Sequence, residues 1–298
     1  MQTLPCYTKV LTLGAFRTEN ALVGEVAIQE KVDGSQFRFG ITDDQRLMFG
    51  THHTTIYPEV ADKMFKQAIE YLEPLHLTML ERFVPDTYFF AEYLQKPKHN
   101  LLKYDRIPKN HLVLFDVMEN GRWLGRKEVE GYARFLDIDF VPEFYRGKIT
   151  VEELADFFLR ESFLGGEKIE GVVIKNYEQN ILLGGNIFPL FTKYVQPAYR
   201  ERHVKEWHPK DNLQTYILSF RDEARWQKAI QHLKEQGILL NDPRDIGNLI
   251  MEVHKDLLEE AEADIKDYLF KEFKRQVLGA STKGLPDWYK TKLLENLK

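Results

Sequence analysis

The stretch AIQEKVDGSQFRFG, Ala27 to Gly40, decides the reading of this chain. Its flanks are strand-like, with Ala27 and Ile28 before and Phe37 and Phe39 alternating after. Its middle carries Glu30, Lys31 and Asp33 beside Gly34. A charge buried in a strand costs several kcal/mol unless it is paired or used. A surface lysine beside a Lys-x-Asp-Gly turn is the plain alternative. A lysine that attacks phosphorus must be neutral, yet free lysine has a pKa of about 10.4. Holding it neutral near pH 7 takes roughly 4 kcal/mol of differential interaction, from desolvation or nearby cations. Gly34 would let the backbone approach a ligand closely, and Asp33 could position a sugar hydroxyl or a neighbouring cation.

Working outward, four more apolar segments each contain a charge. TYFFAEYL (87–94) carries Glu92, and alternation puts Phe90, Glu92 and Leu94 on one face. HLVLFDVM (111–118) sets Phe115 beside Asp116. GVVIKNY (171–177) contains Lys175 and follows Glu170, and FPLFTKYV (188–195) contains Lys193. All four read as strands, and LLGGN (182–186) reads as a hairpin turn. PEVADKMFKQAIEYLEPL (58–75) and TVEELADFFLRESF (150–163) read as amphipathic helices, the second opened by a Thr150–Glu153 capping box.

The ordered set Lys-Val-Asp-Gly, Phe-Ala-Glu-Tyr, Leu-Phe-Asp-Val, Glu-Gly-Val-Val-Ile-Lys and Phe-Thr-Lys-Tyr resembles the covalent nucleotidyltransferases, over roughly residues 25–200. These comprise polynucleotide ligases and mRNA capping enzymes. The resemblance implies an α+β, ATP-grasp-like domain of two antiparallel sheets with flanking helices. It implies that Lys31 attacks the α-phosphate of ATP, giving a lysyl-adenylate and pyrophosphate. AMP then passes to an RNA 5′-phosphate, and a 3′-hydroxyl attacks to seal the bond. By the same resemblance Glu30 helps read the adenine edge, Phe115 stacks on adenine, and Glu92 holds ribose hydroxyls or a metal-bound water. Glu170, with Glu92, binds Mg²⁺ (or Mn²⁺), while Lys175 and Lys193 contact the α-phosphate. Gln36 occupies the Asn place of the first motif. Two departures stand out. The arginine expected about twenty residues after the nucleophile is replaced by the neighbourhood of His52 and His53, and Val195 stands where a second lysine often follows Lys193.

After residue 205 the texture becomes helical. Ile217, Phe220, Trp226, Ile230 and Leu233 recur at helical spacing, as do Leu249, Val253, Leu257, Ala261, Ile265, Tyr268 and Leu269. Asp242 or Asp245 is placed to cap. Domains of 1–205 (adenylyltransferase) and 206–298 (small, all-α) are expected. A helical C-terminal domain resembles the type-2 RNA ligase branch, which repairs breaks in RNA duplexes, so the expected partner is RNA with 5′-phosphate and 3′-hydroxyl ends, duplex or nicked. A compact DNA ligase or another nucleotidyltransferase is the enzyme alternative. A catalytically inactive module that binds nucleic-acid ends is the alternative of another class.

Composition narrows the rest. Net charge is −5, so nucleic acid must meet local patches. QKPKHNLLKYDRIPKN (95–110) and YRERHVKEWHPK (199–210) are the basic candidates. EVHKDLLEEAEADIKD (252–267) reads as a solvated acidic face. Cys6 is the one cysteine, which excludes an intrachain disulfide and a cysteine zinc site. No signal-like start or long apolar run occurs, so a cytoplasmic protein, of cellular, phage or viral origin, is expected.

Overall fold

A computed structural model of the chain describes residues 4–15, 17–52, 54–56, 64–183, 186–196, 217 and 220–295. The strands, in order, are β1 (Leu11–Thr12), β2 (Val26–Glu30), β3 (Ser35–Ile41), β4 (Leu47–Gly50), β5 (Thr55–Ile56), β6 (Thr87–Tyr93), β7 (Leu112–Glu119), β8 (Arg122–Trp123), β9 (Asp139–Phe140), β10 (Glu143–Gly147), β11 (Gly171–Leu183) and β12 (Asn186–Val195). The helices are α1 (Lys66–Leu72), α2 (His76–Arg82), α3 (Arg126–Phe135), α4 (Val151–Leu154), α5 (Glu223–Glu235), α6 (Ile246–Ser281) and α7 (Leu285–Glu295).

The strands form two sheets, ordered β1-β12-β11-β2-β10 and β5-β4-β3-β6-β7-β8, with β9 also on β7. Pairing is antiparallel except for β1–β12 and β7–β9. The α+β, two-sheet expectation therefore holds, with one parallel pair in each sheet. Alternation sorts the faces. Phe37, Phe39, Phe89, Ala91, Leu112 and Leu114 pack outward against α1–α3 through Phe65, Ile69, Met79 and Val129. Ile28, Val172, Ile174 and Leu190 pack outward against Leu154 and Phe157. Each fully buried Leu, Ile, Val or Phe contributes about 1.5–3 kcal/mol.

The inward faces meet through two smaller clusters. One joins Phe191 of the smaller sheet to Tyr88 and Phe90 of the larger, with Leu4 and Tyr7 of the N-terminal segment between them. The other gathers Val32, Leu94, Tyr104, Val113 and Leu164. Phe115 packs against both. Arg38 pins the N-terminal segment, donating to Leu4 O (3.0 Å), Pro5 O (2.6 Å) and Thr51 O (2.5 Å).

The expected strands over 87–94, 111–118, 171–177 and 188–195 are all present, but β11 and β12 run longer, closing a hairpin at the Leu183–Asn186 pair. The 150–163 segment is shorter as helix than its periodicity suggests: α4 gives way to a 3-10 turn over Ala155–Leu159. Its capping box is real, with Thr150 N donating to Glu153 (2.8 Å) and Glu153 N to Thr150 Oγ1 (3.4 Å). Of the 58–75 helix, 58–63 lies outside the described residues, and α1 begins at Lys66.

The chain divides into two compact units, Met1–Val253 and His254–Lys298. The first holds both sheets, α1–α5 and the start of α6; the second holds the rest of α6 and α7. The boundary expected near 205 falls in 197–216, outside the described residues, as do the 199–210 basic segment and His53. Asp222 caps α5 through Ala224 N (2.9 Å), and Asp242 caps the 3-10 turn Pro243–Asp245 that precedes α6. The 252–267 face is not wholly solvated, because Glu252 and Asp256 are buried and Glu252 bonds His232 Nδ1 at 2.8 Å. Among the described residues no helix is long and apolar enough to cross a membrane.

Candidate active site

Lys31 follows the last residue of β2, and its backbone N–H donates to Gly171 O (3.0 Å) at the start of β11. That bond sets Lys31 beside Glu170. The Lys31 Nζ donates to Glu170 Oε2 at 2.6 Å, with the lysine side chain 26% and the glutamate 9% exposed. Burial pulls the ammonium pKa down, but the charges of Glu170, Asp33 and Glu92 and the hydrogen bond to Glu170 outweigh it, so it lies above the usual lysine value. Of the two expected means of holding Lys31 neutral, desolvation is present, but the neighbouring charges are acidic and keep the lysine charged. Burial raises Glu170 in turn, against the opposing charges of Lys31 and Lys193. Lys193 is therefore within electrostatic reach of the pair, from the neighbouring strand.

Glu92 and Gln36 stand directly opposite each other on β6 and β3. Glu92 Oε2 and Gln36 Nε2 are buried atoms without a hydrogen-bond partner among the described residues. The Glu92 carboxyl is pushed up to about 8, chiefly by burial, with Glu235, Asp33 and Glu170 adding to it and Lys31 opposing. An orphaned buried polar atom carries a cost of about 1–3 kcal/mol. An acceptor and a donor side by side suit a hydroxyl, which can donate to one and accept from the other.

Gly34 leaves little room for a side chain. A Cβ there would lie 3.0 Å from Glu92 Oε2, Leu94 Cδ1 and Tyr93 O. The close approach this glycine permits is thus to β6 and the Glu92 carboxylate. Asp33 anchors a loop: its Oδ2 accepts from Leu101 N and Leu102 N, both at 2.7 Å, and its backbone N–H donates to Tyr104 Oη (2.8 Å). Glu30 is engaged similarly, accepting from Ser162 Oγ (2.5 Å) and Phe163 N (3.1 Å).

Phe115 sits at a β-bulge. Phe90 pairs with Asp116 and Ala91 with Leu114, leaving Phe115 as the extra residue. The bulge directs both Phe115 and Asp116 inward, where strict alternation would separate them. Phe115 is half-buried, with Tyr7 edge-on to its ring at 5.0 Å. Lys175 is buried and donates to Asp116 Oδ2 (2.7 Å) and Phe115 O (2.9 Å), lying 5.7 Å from the Phe115 ring centre. Tyr7 Oη donates to the same Asp116 oxygen. Burial lowers the Lys175 pKa and the Asp116 charge opposes it. This lysine ties β11 of one sheet to β7 of the other and fixes Phe115. Two of its three N–H donors are thereby engaged within the fold.

Sequence reasoning passed over several contributors. Asp116 and Tyr7 complete the Lys175 cluster, and the opposite charges on neighbouring motifs were the available signal. Asn100 donates to Gly34 O (2.9 Å) from a loop. Gln231 of α5 donates to the same carbonyl (3.2 Å) and to Glu235 (2.8 Å). Helical periodicity marked Leu233 but gave no reason to bring α5 to this site. His52, after β4, is half-buried.

Among the described residues no three His, Cys, Asp or Glu side chains form a closed metal-binding group. Glu92 and Glu170 still suit Mg²⁺, a hard ion commonly held by one or two carboxylates, waters and substrate phosphates. The orphaned Glu92 oxygen is the observation that favours this fit.

The RNA ligase family model matches residues 24–191, more than half of the chain, and the chain belongs to that family. No curated protein matches it. Among solved structures it is similar to a Naegleria gruberi RNA ligase with PPi, at 17% identity and TM-score 0.50, covering 67% of this chain and 58% of that one. A lysine-to-alanine variant of that ligase with ATP and Mn matches at 15% identity, and a lysine-to-methionine variant with AMP and Mn at 16%, both with TM-score 0.50, 67% of this chain and 58% of theirs. At such identities the likeness is one of fold, and the match spans 58% of the first relative's length.

Proposed function

We propose that the chain is an ATP-dependent RNA ligase acting through a lysyl-adenylate on Lys31. The observation that carries this reading is the Lys31–Glu170 pair beside two unpartnered polar atoms, Glu92 Oε2 and Gln36 Nε2. Membership of the RNA ligase family supports it. Lys31 Nζ would form a bond to the α-phosphorus of ATP as the bond to pyrophosphate breaks. Before attack the ammonium must release its proton, which would pass to the solvent that its partly exposed side chain reaches. Burial favours that release and Glu170 opposes it, so the lone pair becomes available once the charge of Glu170 is compensated. A divalent cation held by Glu170 and Glu92 would supply that compensation and offset charge on the phosphates. Lys193, within electrostatic reach of Glu170, would stabilise charge at the α-phosphate. Glu92 and Gln36 would hold ribose hydroxyls, and Phe115, fixed by Lys175 and Tyr7, would present a face to adenine.

AMP would then pass to an RNA 5′-phosphate, and a 3′-hydroxyl would attack with AMP leaving. Sealing assays on nicked duplexes test this: all-RNA, RNA–DNA hybrid and all-DNA, each with a 5′-phosphate. Sealing of nicks with RNA ends and ATP is expected. Sealing of all-DNA alone favours a compact DNA ligase, and binding of ends without sealing favours the inactive module.

A further inference from the structure

The loop after β6 and helix α5 meet at Ser35, four residues past Lys31. His99 Nδ1 accepts from Gln95 N (3.1 Å), so its Nε2 carries the proton and donates to Ser35 Oγ (2.8 Å). Gln231 Nε2 reaches the same hydroxyl at 3.4 Å and Gly34 O at 3.2 Å. These bonds bring the exposed lysines of both segments to one place. Burial and then the charges of Lys234 and Lys96 hold His99 down to about 4, so both lysines lie close to its ring. Lys98 and Lys103 face each other across an isolated antiparallel bridge, and both are exposed. Like charges directly opposed in a ladder are destabilising.

The expected 95–110 patch divides in two. Arg106 is paired with Asp139 (2.5 Å) and Lys109 with Asp137 (2.8 Å). Lys96, Lys98, Lys103 and Lys234 make no ion pair among the described residues. Of the nearby acids, Asp33 and Glu235 are hydrogen-bonded within the fold. Asp33 bonds the amides of Leu101 and Leu102, Asp105 turns toward Gly165 and Gly166, and Glu235 is buried and accepts from Gln231.

We propose that Lys96, Lys98, Lys103 and Lys234 form one surface, built jointly by the 95–104 loop and α5, that tracks the sugar–phosphate backbone of an RNA whose end enters the Lys31 site. The proposal rests on the ligase reading for its ligand. Spread, exposed ammonium groups suit a chain of phosphates, because each acts as a point charge and none builds an enclosed cradle for a single anion. Backbone contact of this kind positions RNA without reading its sequence.

The test uses the full chain and a dye-labelled, nicked RNA duplex with a 5′-phosphate, with affinity read by anisotropy from about 50 to 200 mM KCl. The Lys98→Ala/Lys103→Ala/Lys234→Ala variant should bind about tenfold or more weakly at low salt, with the slope of log affinity against log salt reduced by about three. Lys234→Glu alone should reduce it too. Arg106→Ala/Lys109→Ala should keep the wild-type slope. A triple variant with wild-type affinity and slope overturns the surface, as does an equal loss from the Arg106/Lys109 control. The substituted lysines are exposed, and thermal melting of each variant confirms that it folds. Labelling of the same wild-type protein by ATP separates the two readings: loss of slope in the variant without labelling of the wild type keeps the surface and removes the ligase.

Discussion

Lys31 bonds Glu170 at 2.6 Å and Lys175 bonds Asp116 at 2.7 Å, yet the first lysine side chain is 26% exposed and the second 1%. Around Lys175 the polar groups are satisfied. Asp116 also takes the Tyr7 hydroxyl, Lys175 also takes Phe115 O, and the rings of Phe115 and Phe191 flank the ammonium. Around Lys31, Glu92 Oε2 and Gln36 Nε2 are left over. A closed pair joins two sheets; an open pair keeps unmet hydrogen-bonding capacity for a ligand. Bond length does not tell these two lysines apart, but the satisfaction of their neighbours does.

The sharpest way to break this comparison is to cut the closed pair. Lys175→Ala leaves Asp116 buried and uncompensated and should cost about 3–5 kcal/mol in urea unfolding, whereas Lys175→Met with Asp116→Leu should recover most of it. Were Lys175→Ala as stable as the wild type but unable to react with ATP, Lys175 would belong with the open pair. Next comes Glu92→Gln, expected to slow lysyl-adenylate formation on the order of 10²-fold while stabilising the ligand-free fold above pH 8. The sign follows from its raised pKa: the wild type must give up a proton that the fold retains, so it loses stability as pH rises from about 4.3 toward 8. Gln36→Leu removes one hydroxyl partner, and its KM for ATP should rise about five- to tenfold, in line with a neutral hydrogen bond of roughly 1 kcal/mol. A separate effect, confined to acid pH, concerns His99, held down to about 4. Its unfolded form binds a proton first, so stability should fall as pH drops from about 6.5 toward 4, and His99→Gln should flatten that part of the curve in thermal melts.

The sequence was most informative where alternation and motif order agree. Phe90 and Glu92 of β6 and Leu94 just after it share one face as read, and Lys31 and Glu170 come together from segments far apart in the chain. What stayed hidden depended on events that periodicity does not record. One extra residue in β7 turned both Phe115 and Asp116 inward, which gave Lys175 its carboxylate partner. The loop bonds of Asp33 and Glu30, to the amides of Leu101 and Leu102 and to Ser162 and Phe163, are likewise tertiary contacts that residue type and place do not reveal. The arrival of α5 at Gly34 is a tertiary contact across about two hundred residues, and local pattern holds no trace of it.

The central claim is that Lys31, the open lysine, is the one that becomes covalently bound. Full-length wild type, Lys31→Ala and Lys175→Met/Asp116→Leu would be incubated with Mg²⁺ and ATP labelled at its α-phosphate, then denatured. The account predicts label on the wild type and on the double variant, none on Lys31→Ala, and a peptide containing Lys31 as the labelled site. Label retained by Lys31→Ala, or no label on wild type freed of bound AMP, would contradict it.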